Sequence, residues 1–179
     1  MENNSCASCL TLNLEDTEWP FTEVTHERRI ARAIVVDEEN YFYFVRVNRN
    51  DAFGTGDFIE TYGGGVEDGE DLQTAIKREL KEELGAEVEI ICKLAEVNDF
   101  YNRICRRNLN NYFLCKVKSF GEKNLTQQEI SDFKLSTLRL TYDQAVEEYK
   151  KCSSTKWGRL LINRELPVLE YAKKILEKI

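Results

Sequence analysis

The sequence predicts an α/β (α+β) domain on a mixed β-sheet. Several runs are rich in β-branched and aromatic residues, and three amphipathic stretches are interleaved with them as helices. The composition, 42% hydrophobic and 32% charged, is that of an ordinary globular chain, and 179 residues suit one domain.

Taken in order, residues 1–25 show no clear periodicity and read as a poorly defined N-terminal arm, which leaves 26–179 as the domain. Arg28–Asp37 and Tyr41–Arg49 read as two strands of a hairpin. Asn50–Phe58, with two glycines, reads as a loop, and 59–63 as a short strand. A helix is expected over 70–84, with Gly85 as its left-handed cap. Ala86–Tyr101 and Asn110–Phe120 read as a second, longer hairpin joined through Asn102–Leu109. Thr126–Phe133 reads as a loop or short turn, and Ser136–Thr141 as a strand. A helix then starts at Thr141 or Asp143, and a last one has Pro167 near its first turn.

The net charge of −7 and pI near 5.0 argue against a duplex nucleic acid partner, which calls for a basic face. An acidic protein acting on an acidic small molecule needs a local cation between them. No apolar run is long enough for a membrane span, and the first residues lack the pattern of a signal peptide, so a cytoplasmic protein is expected. The six cysteines are expected to be reduced. Cys6 and Cys9 form a C-x-x-C pair, but no second such pair completes a zinc site.

The helix over 70–84 carries the chemistry. At about 100° per residue, Leu72, Ala75, Ile76, Leu80 and Leu84 make one apolar stripe. Glu79 and Glu83 fall inside that stripe, and Glu82 at its edge. A Glu-rich helix usually turns its acids to water and pairs them with lysines at i,i+4. Here Glu79 and Glu83 are i,i+4 neighbours of like charge, and a buried unpaired carboxylate costs several kcal/mol. A divalent cation shared by Glu79, Glu82 and Glu83 resolves both problems.

The stretch from Gly64 to Ala86 resembles the signature of the Nudix hydrolases, G-x5-E-x7-R-E-U-x-E-E-x-G-U, where U is a bulky aliphatic. Gly64 opens it, Glu70 is the first acid, and "RELKEELGA" runs from Arg78 to Ala86. The one departure is Ala86 at the last aliphatic place, which bears on packing more than on chemistry. The resemblance implies an α/β/α sandwich and hydrolysis of a nucleoside diphosphate linked to another group, with Mg²⁺, or Mn²⁺ in its place. It implies Glu79, Glu82, Glu83 and the Gly64 carbonyl as metal ligands. Gly63 and Gly65 would let the chain pass close to substrate, and Arg78 would pair with Glu70 or a metal-binding Glu. The general base lies in the box in some members and on a later loop in others. Glu129 is the best later candidate, and Asp132 the second.

Arg103, Arg106 and Arg107 near the second hairpin's turn are candidates to contact substrate phosphates. Tyr62, Phe100 and Tyr101 are candidates to stack on a base. The substrate is a nucleotide-type small molecule whose identity no further motif decides. A nucleotide-binding regulator without hydrolysis is the alternative, although such domains commonly lose box acids and this chain keeps them all. Homodimers are common among proteins similar to this family.

Overall fold

The computed structural model of the protein describes residues 8–179. Its framework is an eight-stranded mixed sheet. The main path runs β1 (Leu10–Leu14), β6 (Ala86–Tyr101), β7 (Arg106–Phe120), β2 (His26–Val36), β3 (Phe42–Asp51) and β4 (Gly54–Glu60). β5 (Tyr62–Gly65) adds to β2, and β8 (Ser136–Leu140) adds to β3. The pairs β1–β6 and β2–β7 are parallel, and the other pairs are antiparallel. The helices are α1 (Leu72–Glu79), the short α2 (Gln127–Ser131), α3 (Tyr142–Lys151) and α4 (Lys156–Leu176).

Alternation along the strands gives the sheet two apolar faces. On β2, Ala31, Ala33 and Val35 meet Ala75, Ile76 and Leu80 on the α1 side. Ile34 and Val36 belong to the opposite core, with Leu161 and Leu169 of α4. The result is the expected α/β/α sandwich. Ile76 and Leu80 are fully buried, so truncating either to Ala should cost about 2–5 kcal/mol.

One topological detail creates the site. β2 and β3 pair only at Val35↔Tyr43 and Val36↔Phe42. Beyond that point they part. Residues Ile30–Ala33 of β2 turn to β5, while Val45–Asp51 of β3 turn to β4. The chain crosses from one half-sheet to the other at Thr61, between β4 and β5. A cleft opens where the two halves splay, with Arg28, Ile30 and Arg32 on one wall and Val45, Val47 and Arg49 on the other.

Several sequence expectations need correction. Residues 10–14, read as part of a loose arm, form edge strand β1 paired in parallel with β6 over Leu10↔Ala95 to Leu14↔Asp99. Leu10, Leu12 and Leu14 pack against the core, an alternation too short to stand out from its polar surroundings. The rest of the arm before residue 8, with Cys6, lies outside the described residues. Asn50–Phe58 is a tight β3–β4 hairpin, not a loop, and Gly54 (φ 116°) follows its turn. Thr126–Phe133 contains helix α2, closed by a capping box between Thr126 and Glu129. Pro167 lies inside α4, which begins at Lys156 rather than just before the proline. Thr155 caps it, its side chain accepting from the Gly158 amide at 3.0 Å. Cys9, Cys105, Cys115 and Cys152 are free thiols, whereas Cys92 is disulfide-bonded, against the expectation of reduced cysteines. No helix among the described residues is long and apolar enough to cross a membrane.

Candidate active site

The first helix starts two residues later than its periodicity suggests. Asp71 is its N-cap, its carboxylate accepting from the Thr74 amide at 2.9 Å. After Glu79 the α-helix gives way to a π-helical turn over Leu80–Leu84. That turn ends on Gly85 (φ 71°), whose amide donates to the Leu80 carbonyl. The wider turn keeps Leu80 and Leu84 buried but swings Glu82 and Glu83 off the positions of a regular helix. Glu82 turns outward, 41% exposed, within 3.4 Å of Arg78. Glu83 turns inward, its Oε2 3.5 Å from the Gly63 amide.

Arg78 ties the box together. Its Nε and Nη2 donate to the two oxygens of Glu70 at 2.9 and 3.0 Å, a bidentate pair. Its Nη1 reaches Glu79 at 2.8 Å, and Nη2 also donates to the Gly65 carbonyl at 3.1 Å. The arginine thus fixes the glycine turn, the first acid and Glu79 in one frame. Glu79 lies directly under Gly64: a Cβ there would come within 2.5 Å of the Glu79 carboxyl carbon. Gly63 (φ 142°) is equally constrained, since a side chain there would run into the Ala31 carbonyl. The glycine run is therefore required by close approach on both sides.

Three carboxylates converge from here. Burial pushes the Glu79 carboxyl upward; Arg78 opposes this, while Glu82 and Glu129 add to it. Glu83 is pushed up to about 8 by burial and by the charges of Glu79 and Glu129. Among the described residues Glu83 has no ion-pair partner. Glu129 arrives because residues 121–124 dock on the end of the first helix. There the Gly121 amide donates to Gly85 O at 2.6 Å and the Asn124 amide to Glu82 O at 2.8 Å. The capping box holds Glu129 Oε2 on the Thr126 amide at 2.7 Å.

Among the described residues no three potential ligands form a ready-made metal cage, and Arg78 engages Glu79 and Glu82. The donor chemistry nevertheless fits a hard divalent cation: mutually repelling carboxylates, one of them, Glu83, half-buried with no ion-pair partner among the described residues.

The cleft holds about 340 Å³ and gathers six of the residues singled out from the sequence, while Arg78, Glu79 and Glu82 are not part of its lining. Gly63, Gly64, Glu83, Glu129, Arg106 and Tyr101 line it. Arg103 is not part of the lining and donates instead to the Ala52 carbonyl at 3.2 Å. Arg107 pairs with Glu27 at 2.9 Å. Gly65 supports the site through its carbonyl. Tyr62 is buried, its hydroxyl donating to Thr137 at 3.0 Å, and Asp132, outside the lining, accepts from the Ser131 hydroxyl at 3.1 Å. Sequence reasoning missed Arg28, Arg32, Arg49, Arg164, Trp157 and Phe133, all of which line the cleft. They come from β2, β3, the segment after α2 and α4, and only tertiary packing brings them together, so no local spacing announces it.

The chain matches the NUDIX domain family over residues 26–155 and belongs to it. An RNA pyrophosphohydrolase of Campylobacter jejuni is 30% identical over 99 residues, covering 49% of this chain. The chain spans 63% of the length of that relative. Among solved structures, a NUDIX hydrolase from Nitrosomonas europaea superimposes with a TM-score of 0.57 at 16% identity, over 68% of this chain and 77% of that one. A UDP-X diphosphatase superimposes with a TM-score of 0.53 at 19% identity, over 88% of this chain and 66% of that one. Both likenesses show the fold.

Proposed function

We propose that the protein hydrolyses a phosphoric anhydride bond in a nucleoside di- or triphosphate derivative by attack of water on phosphorus, with Mg²⁺ or Mn²⁺. The observation that carries this reading is Glu83, half-buried in the lining of the cleft, under the charges of Glu79 and Glu129 and with no ion-pair partner among the described residues. Glu79, Glu82, Glu83 and the Gly64 carbonyl would hold the cation. When bound, it would neutralise phosphate oxygens and stabilise the leaving phosphate.

The chain's own residues supply the rest. At Gly63 and Gly64 the backbone runs against the Ala31 carbonyl and the Glu79 carboxylate, so any side chain there would push on β2 or on that acid. Arg78 positions Glu79 and the glycine turn through its five contacts to Glu70, Glu79, Glu82 and Gly65. Glu129, with Oε2 held by the Thr126 amide, keeps its other oxygen to take a proton from the attacking water. The RNA pyrophosphohydrolase relatives support including a 5′-triphosphorylated RNA end among the substrates. The UDP-X diphosphatase likeness carries the fold only.

The test is ³¹P NMR on a panel: a nucleoside triphosphate, a nucleotide sugar and a 5′-triphosphorylated oligoribonucleotide, each with Mg²⁺. Release of a monophosphate product from at least one, abolished by chelator, is the expected result. Tight binding with no turnover of any compound would instead identify a regulatory binding domain.

A further inference from the structure

Five arginines line the cleft, and they fall into two groups. Arg32, Arg49 and Arg164 are neutralised within the protein. Arg49 pairs with Glu60 at 2.8 Å and with Asp51 at 2.8 Å. Arg164 pairs with Glu165 at 2.9 Å and lies 3.5 Å from Asp99. Arg32 donates to Asn110 at 3.0 Å and stands 3.9 Å from Glu165. Arg28 and Arg106 have no such partners: among the described residues neither makes an ion pair or a side-chain hydrogen bond. The Arg106 Nε is buried without an acceptor.

These two guanidiniums are also neighbours. His26 and Arg28 of β2 stand beside Arg106 and Asn108 of β7 in parallel register, which puts Arg28 and Arg106 on one face. Burial and the charge of Arg28 together lower the Arg106 pKa, so the pair is held together against its own repulsion. Arg28 lies across Gly65, its guanidinium 3.2 Å from where a Cβ would stand. Glycine at 65 therefore leaves the guanidinium room to lie against the backbone of the glycine turn. Among the described residues, Glu83 and Glu129 are the unpaired acids of the cleft lining, and neither makes an ion pair with Arg28 or Arg106.

The cleft is thus divided. One end has acids in excess and suits a cation; the other has guanidiniums in excess and suits an anion. A neutral sugar would leave the second end uncompensated. We infer that Arg28 and Arg106 clamp a charged terminal phosphate of the substrate, so that the chain prefers 5′-triphosphate compounds to nucleotide sugars. This rests on the reading of the cleft as a pyrophosphohydrolase site, but the clamp can be tested without turnover.

The experiment is calorimetric titration of the full chain with inorganic tripolyphosphate in chelator, where no divalent cation contributes. The native protein should bind it, more weakly as salt rises. Arg28→Gln and Arg106→Gln should each weaken binding about tenfold or more. Arg103→Gln, on a residue outside the cleft, should leave it unchanged. In parallel, kcat/KM for a nucleoside triphosphate should fall in both cleft variants, through KM, while that for a nucleotide sugar stays level. Absence of tripolyphosphate binding by the native chain, or affinity unaltered in both cleft variants, overturns the clamp. Binding that depends on both arginines without hydrolysis of any nucleotide keeps the clamp and sinks the hydrolase reading instead. Hydrolysis with unaltered KM in both variants does the reverse.

Discussion

The acids of the first helix and the Arg164–Glu165 pair of α4 are both partly or wholly buried, yet only the second cluster is electrically closed. Glu165 accepts from the Thr61 amide at 2.9 Å, the Thr61 hydroxyl at 2.7 Å, the Tyr149 hydroxyl at 2.7 Å and Arg164 at 2.9 Å. Arg164 also bonds the Tyr101 hydroxyl, and Asn110 links Asp99 to Arg32. Burial opposes charge on Glu165, but Arg164 and Arg32 outweigh it and hold the carboxyl below its usual value. On the first helix, by contrast, Glu83 is left with a raised pKa and no ion-pair partner. The difference separates structure from function: a buried cluster whose charges are paired holds the fold, and one whose charge is left unpaired waits for a ligand.

The closed cluster also serves the open one. Through Thr61, Glu165 pins the crossover between β4 and β5, immediately before the glycine turn. The largest effect is therefore expected at Glu165→Ala, which strands Arg164 in the core and should cost about 3–5 kcal/mol in urea denaturation. A loss under about 1 kcal/mol would mean that the two clusters do not differ as described.

Next in size is Glu83→Gln. It should lower metal-dependent turnover at least about 100-fold, about 2.7 kcal/mol in activation free energy, without lowering metal-free stability. Equal loss of stability and activity would place Glu83 with the structural cluster. Gly64→Ala comes third. Its Cβ meets the end of a movable side chain, Glu79, so stability should change by less than about 1 kcal/mol while turnover falls about 10-fold or more.

The smallest effect is on pH dependence. The folded-state pKa of Glu83 lies near 8, above its ordinary value of 4.5. The fold therefore favours its protonated form. That contribution is fully present below the unfolded pKa and is lost as pH rises through about 8. Metal-free native protein should thus lose stability between about pH 5 and 9, and Glu83→Gln should show a shallower slope in the same urea series.

Much of this contrast was legible in the sequence, and the divide follows the range of the interactions. Glu79, Glu82 and Glu83 lie on one continuous helical stretch, so spacing alone placed them close together. The cap at Gly85 and the long β6–β7 hairpin were readable for the same local reason. The π-helical turn was not, because a regular wheel assumes one angle per residue and hides the different roles of Glu82 and Glu83. Strand β1 was missed because its partner is 85 residues away, at Leu10↔Ala95. Arg28 was missed likewise: it meets Arg106, a candidate from the hairpin turn, only through the parallel β2–β7 ladder. Arg164 reads in sequence as an ordinary charged helix residue until packing buries it.

The central claim is that the first helix holds acids unsatisfied by the protein and reserved for a cation. Calorimetric titration of Mg²⁺ and Mn²⁺ at about pH 7, in two buffers of different ionisation enthalpy, tests it most directly. Native protein should bind the metal and release protons as it does so, because Glu83 must ionise to ligate. Glu83→Gln should bind more weakly and release fewer. Native protein that binds neither metal, or binds with no proton release and equally well after Glu83→Gln, would contradict the account.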